Sequence, residues 1–112
     1  MATDLPLNIF RTKPYELTTS SQVLYSTPVG YSCIVLGAQA SNNGTVPATI
    51  TFTLTKNNVD YILLNAFEIP PNEASEVTTG KLVIEEGSSV KAVVSRDDSI
   101  ILVLSVLETS NE

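Results

Sequence analysis

Thr49-Ile-Thr-Phe-Thr-Leu-Thr55 alternates without a break. In an extended chain Ile50, Phe52 and Leu54 fall on one side and the threonines on the other; an α-helix would scatter both kinds around its axis. Threonine is β-branched and packs well on a pleated, half-exposed surface. The segment is therefore a strand with one wet face. No stretch of the chain shows the 3.6-residue apolar period of an amphipathic helix, and no internal repeat is present.

The remaining segments follow the same logic. Tyr31 to Ser41 is expected to be a strand, with Ile34, Leu36 and Ala38 on one face and Cys33, Val35, Gly37 and Gln39 on the other. The turn cluster Asn42-Asn43-Gly44-Thr45 follows it, so the spacing predicts an antiparallel hairpin with the threonine strand, Pro47 standing at its start. Asn57-Asn58 is a turn. Val59 to Ile69 is a bent strand closed by Pro70-Pro71-Asn72. Residues 73–79 read either as an irregular loop or as a short edge strand through Val77. Lys81 to Glu85 is a short strand. Ser89 to Ser95 points Val90, Ala92 and Val94 inward, and Ile100 to Glu108 is the last strand. Upstream, Leu7 to Thr12 and Gln22 to Ser26 are strands divided by Pro14 and Thr18-Thr19-Ser20-Ser21. About seven to nine strands, with turns every 8–12 residues, make an all-β chain: a single antiparallel β-sandwich, jelly-roll or Ig-like. Residues 1–14 are read as an N-terminal arm and residues 15–112 as the sandwich.

Composition enters where chemistry must be excluded. The 112 residues are 43% hydrophobic and 16% charged, the balance of one folded domain. The net charge is −6, and no stripe gathers the basic residues. Nucleic acid and anionic membrane surfaces are therefore not expected partners. The longest apolar run, Ile100 to Leu104, is far short of a spanning helix, and Met1-Ala2-Thr3-Asp4 lacks the character of a signal peptide; synthesis in the cytoplasm is expected. With no histidine and the lone Cys33, the usual zinc sites and the Ser-His and Cys-His catalytic pairs are missing. Cys33 itself lies in an apolar stretch and reads as a core thiol.

The acidic residues read as solvated turns. Asp97-Asp98 lacks a calcium-loop pattern, and Glu85-Glu86-Gly87 is a polar turn. No carboxylate interrupts an apolar run as an inward-facing catalytic acid would. Asn43-Gly44-Thr45 fits the glycosylation pattern, but a turn accounts for it. Gly80-Lys81 lacks the spacing of a phosphate loop. No enzyme, cofactor or metal is expected.

The apolar residues exceed what one core needs. In the last strand Ile100, Leu102, Leu104 and Val106 point one way, while Ile101, Val103 and Leu107 point the other. A strand with a solvent face would be polar at every second position. Either the chain's own arm or a loop covers the second face, or a partner does. The second reading makes Ile101, Val103 and Leu107 an oligomer or docking face. Near the chain end, Leu5, Leu7 and Ile9, with Phe10, either add a strand to their own sheet or reach a neighbour.

Several segments, in order, resemble a family of small all-β virion structural proteins of tailed bacteriophages, of the marine and cyanobacterial type. They are Leu7-Asn-Ile-Phe-Arg-Thr-Lys-Pro-Tyr15, Val23-Leu-Tyr-Ser-Thr-Pro-Val-Gly-Tyr31, Ile34-Val-Leu-Gly-Ala-Gln39, Ile50-Thr-Phe-Thr-Leu54, Ile69-Pro-Pro-Asn72, Gly80-Lys-Leu-Val-Ile-Glu-Glu-Gly87 and Leu104-Ser-Val-Leu-Glu108. Family members often carry Asp where this chain has Ser88. The resemblance covers nearly the whole chain. It implies an all-β, non-enzymatic accessory subunit of a virion. Taken with the surplus apolar face, the expectation is a protein made in the host cytoplasm that assembles as a homo-oligomer, a trimer or ring, with other capsid or tail proteins as partners. Capsid decoration is slightly favoured over a neck, baseplate or fibre-adaptor role. A rival reading is a receptor- or carbohydrate-binding fibre module, with Tyr15, Tyr25, Tyr31 and Tyr61 as stacking platforms.

Overall fold

The computed structural model describes residues 8–78, 80–97 and 99–110. The strands are β1 (Asn8–Glu16), β2 (Gln22–Ser26), β3 (Tyr31–Asn42), β4 (Ala48–Lys56), β5 (Val59–Ile69), β6 (Ala74–Glu76), β7 (Leu82–Ile84), β8 (Ser89–Val94) and β9 (Ile100–Ser110). They form two sheets, β1-β9-β3 with β6 and β7 both along β3, and β2-β8-β4-β5. Every ladder is antiparallel. The pairings nest: β1 with β9, β2 with β8, β3 with β6 and β7, β4 with β5. A long hairpin ribbon has thus been rolled on itself and closed by β3·β9 in one sheet and β4·β8 in the other. That is the jelly-roll form of the expected sandwich.

The inward faces are what alternation predicts. Ile50 and Phe52 of β4, Val90, Ala92 and Val94 of β8, and Ile100, Leu102, Leu104 and Val106 of β9 are buried together between the sheets. Cys33 is a buried core thiol. Asn57 and Asn58 both take positive φ, 55° and 63°, so the β4–β5 connection is a tight turn that matches the strand twist.

Three expectations are corrected. First, β3 and β4 are not a hairpin, since they lie in different sheets. Asn42 decides this. It is fully buried, and its Nδ2 donates to the carbonyls of Val46 (3.0 Å) and Ile69 (2.8 Å) while Oδ1 accepts from Gly44 N (2.8 Å). Its own N–H donates to the Glu73 carbonyl at 2.9 Å. These bonds satisfy a polar corner inside the molecule and send the chain over to the second sheet. Second, the facing of β3 changes partway. A bulge between Val35 and Gly37 pushes Leu36 outward and flips the parity, so Cys33, Val35, Ala38 and Ala40 all face the core. Third, Pro14 does not end a strand. β1 continues through it to Glu16, which an edge strand permits because one side needs no N–H. The chain from Asn8 to Glu16 is therefore one strand of the molecule's own sheet.

Candidate functional site

Cross-strand partners in an antiparallel sheet share a face, so the ladders fix what the outer side of the β1-β9-β3 sheet presents. Leu107 lies between Phe10 of β1 and Ile34 of β3, and Ile34 in turn pairs with Val83 of β7. Phe10-Leu107-Ile34-Val83 is an unbroken apolar row across four strands. Phe10 is 72% exposed and Val83 59%. Leu36, turned outward by the bulge, lies beside it. Val103 sits further along between Pro14 and Gln39, and Ile101 between Glu16 and Ser41. Among the described residues, β9 and β3 place no charged side chain on this face. The margins place one each, Glu16 and Glu76.

Ile101, Val103 and Leu107 thus share the outer face of the central strand. They are half-buried by their strand neighbours. The structure brings Leu107 into the densest apolar surroundings and Ile101 into polar ones. Ile9 lies in β1, opposite Glu108, within the molecule's own sheet. Leu5 and Leu7 lie outside the described residues. Phe10, Ile34, Leu36 and Val83 complete the face. Only the order of strands brings them together, because in sequence they belong to three separate segments, β1, β3 and β7.

Behind the row, on the inner side of the same strand steps, is a polar cluster. Phe10 points out and Arg11 in; Leu107 points out and Glu108 in. Arg11 Nε donates to Glu108 Oε1 at 2.9 Å, and the Tyr25 hydroxyl of β2 donates to Glu108 Oε2. The ion pair holds the edge strand on β9, and the tyrosine ties both to the opposite sheet. Lys13 Nζ stands 6.0 Å from the centre of the Tyr25 ring. Burial pushes the Glu108 carboxyl up, but the hydrogen bonds from Tyr25 and Arg11 outweigh it and hold the group below its ordinary value. Burial, then the bond to Glu108, drives the Tyr25 hydroxyl well up. Burial likewise raises the Cys33 thiol.

Glu108 ends the apolar run of β9 rather than interrupting it, yet it faces inward. It continues the even-numbered parity of Ile100, Leu102, Leu104 and Val106, and that parity was the signal that would have found it. With an arginine paired to one oxygen and a phenol to the other, it is a structural anchor.

The loop residues act locally. Asp97 Oδ1 accepts from Thr19 N at 2.8 Å, Glu85 pairs with Lys56, and Glu86 Oε1 accepts from Gly30 N at 3.2 Å. Asp98 lies outside the described residues. Of the four tyrosines, Tyr25 is buried and Tyr15 is packed on the core with its hydroxyl bonded to the Leu24 carbonyl. Neither offers a free stacking face. Tyr61 is half exposed. Among the described residues, no cluster of acids and cysteine could hold a metal ion, and no helix is long and apolar enough to cross a membrane.

No protein-family model and no curated protein sequence matches the chain. Solved structures do. The fold is similar to that of a protein of the Bacillus endospore appendages, a family of disulfide-linked pili, at 8% identity and a TM-score of 0.58, covering 94% of this chain and 88% of that one. It is similar to a protein of the acid-stable capsid of Helicobacter pylori bacteriophage KHP30, at 13% identity and a TM-score of 0.57, covering 96% and 90%. It is also similar to a protein of the infectious bursal disease virus T13 particle, at 11% identity and a TM-score of 0.53, covering 94% of this chain and 31% of that one. At these identities the likeness is one of fold, the β-sandwich.

Proposed function

We propose that this chain is a non-enzymatic structural protein of a tailed-phage virion, an oligomeric accessory subunit. The observation that carries the reading is the apolar row on the outer face of the β1-β9-β3 sheet, whose central strands β9 and β3 place no charged side chain there, on a chain whose net charge is −6. Copies of an acidic protein repel each other everywhere except across such a face. Four strands at about 4.8 Å spacing and roughly nine residues at about 3.3 Å give a face of about 600 Å². Covering it on two partners removes roughly 1,200 Å², the lower end of what a specific interface needs. The fold shared with a phage capsid protein and a virus-particle protein supports the same reading.

In this proposal Ile101, Val103 and Leu107, with Phe10 and Ile34, dock on a neighbouring subunit or on a larger capsid or tail protein. Leu5 and Leu7 extend the contact to a neighbour. The oligomer is a trimer or ring and the place is the outside of the capsid, where a small rigid subunit at high copy number serves as cement; a neck, baseplate or fibre-adaptor position is the alternative. Mechanism here is surface burial, with neither nucleic acid nor membrane as partner. Light scattering after size exclusion tests it. A trimer or larger species is expected. A 12.0 kDa monomer that also fails to bind purified phage capsids and tails overturns it.

A further inference from the structure

β1 supplies an end of the apolar row, Phe10, yet the sandwich holds this strand lightly. None of its nine residues is buried. Tyr15 packs on the core near one end, with its hydroxyl on the Leu24 carbonyl. Towards the other end, where Phe10 sits, Ile9 is only half-buried. Two side-chain bonds there add to the ladder with β9. The Thr109 hydroxyl donates to Asn8 Oδ1 at 3.0 Å, in solvent, and Arg11 Nε donates to Glu108 Oε1 at 2.9 Å. An exposed polar pair adds little, whereas Glu108 is the one buried carboxylate among the described residues. Phe10 pairs with Leu107, and Arg11 and Glu108 are their next residues, so the ion pair lies directly behind this end of the row. An edge strand with few buried contacts opens locally at low cost, and the ion pair is what opposes that opening at Phe10.

The groups around the Glu108 carboxyl are Arg11 and Lys13 from β1, the Tyr25 hydroxyl from β2 and the Cys33 thiol from β3. Tyr31 of β3 acts on Arg11. On going from neutral pH into acid, the two cations stay charged and the phenols and the thiol stay neutral. The carboxyl alone changes. Burial pushes it up, the bonds from Tyr25 and Arg11 outweigh burial, and the group stays below its ordinary 4.5. Its charge is therefore complete at neutrality and is lost as pH falls through that lower value.

We propose that Glu108 makes docking of the outer face acid-sensitive: its protonation frees Arg11, the first half of β1 parts from β9, and Phe10 leaves the apolar row. This regulates the face assigned above to a partner and rests on that reading. The direction runs against bare charge. Phe10, Leu107, Ile34 and Val83 do not titrate, and acid neutralises the carboxylates of a chain at −6, Glu16 and Glu76 at the margins included. Copies then repel less, so without the anchor acid strengthens assembly. With it, acid dissolves assembly while the core persists.

Light scattering after size exclusion, with circular dichroism on the same samples, tests this from about pH 7 to about pH 3.5. The wild-type oligomer should keep its mass down to 4.5 and fall towards 12.0 kDa below it, with the β-sheet spectrum retained. Glu108→Gln imitates the protonated state. Arg11→Met removes the other partner from a half-exposed side chain and spares the core. Each should assemble at least about tenfold more weakly than the wild type at about pH 7, and acid should no longer weaken what remains. If the folded wild type keeps its mass in acid, or if both variants assemble like the wild type at about pH 7, the acid response is wrong and the oligomer stands. A mass that falls only together with the β-sheet spectrum also overturns it, since Glu108 then acts on the whole fold. If the wild type is a monomer that binds phage capsids or tails, the same series is read on the bound fraction. A monomer that binds neither overturns the docking face itself.

Discussion

β4 and β9 are both central strands with matching inner faces and opposite outer ones. Inward, β4 offers Ile50 and Phe52 and β9 offers Leu102, Leu104 and Val106, all fully buried. Outward, β4 shows threonines and β9 shows Ile101, Val103 and Leu107 around a single Ser105. The threonines are used within the molecule. Thr51 Oγ1 accepts the N–H of Ala66 at 3.0 Å, where β5 bulges with positive φ, and the Thr55 hydroxyl donates to Asp60 at 2.7 Å. Among the described residues, the ladders set the outer aliphatics of β9 beside residues of β1 and β3. The inner parity therefore specifies the fold, while the outer parity differs between the two sheets, and the proposed function assigns the β9 face to a partner.

Core truncation should treat both strands alike. Leu104→Ala and Phe52→Ala each remove a fully buried side chain, and each should cost about 3–5 kcal/mol in denaturant titration. A large inequality between them would mean that one sheet contributes little to the core. Next in size is the anchor behind the β9 face. Glu108→Gln removes the charge that Arg11 and Tyr25 share, and about 2 kcal/mol of stability should go with it. The pH dependence follows in sign. The folded carboxyl is held below its ordinary value of 4.5, so the contribution is complete above that pH and is lost as pH falls through the lower folded value. Thermal melts of the wild type should drop over that acid range, and those of Glu108→Gln should drop less. An equal fall in both would remove Glu108 from the account.

Gly37→Ala should cost about 1 kcal/mol, because a Cβ there stands 2.8 Å from Glu76 Oε2, the oxygen that accepts the Ala38 N–H at the bulge. A carboxylate that swings away freely would leave the melting temperature unchanged. The smallest effect on stability, and the sharpest on assembly, belongs to the outer faces. Val103→Asp should alter stability by about 0.5 kcal/mol yet abolish the oligomer, whereas Thr51→Asp, which keeps an acceptor for Ala66, should leave the mass unchanged. If Val103→Asp fails to fold, Val103 belongs to the monomer core. If both variants assemble, the contrast between the two faces has no functional content.

Much of this was legible in the residues. Strict alternation located β4, β8 and β9 and their inward side chains, because a strand's period of two is a local property of the backbone. Turn residues marked Asn57-Asn58 and the ends of β5 for the same reason. The surplus of aliphatics on β9 was visible without any partner strand in view.

What neighbours decide was not legible. Asn42-Asn43-Gly44 has the composition of a hairpin turn, and only its bonds to Val46, Ile69 and Glu73 make it the corner where the chain changes sheets. A single bulge at Leu36 reversed the facing of half of β3, since one inserted residue shifts every later side chain to the other side. The apolar row across Phe10, Leu107, Ile34 and Val83, and the carboxylate of Glu108 between Arg11 and Tyr25, each join residues from distant parts of the chain. The sequence by itself determined an all-β sandwich with one face too apolar for water. The tertiary structure alone decided which residues form that face, because strand order and register are long-range choices that no local period encodes.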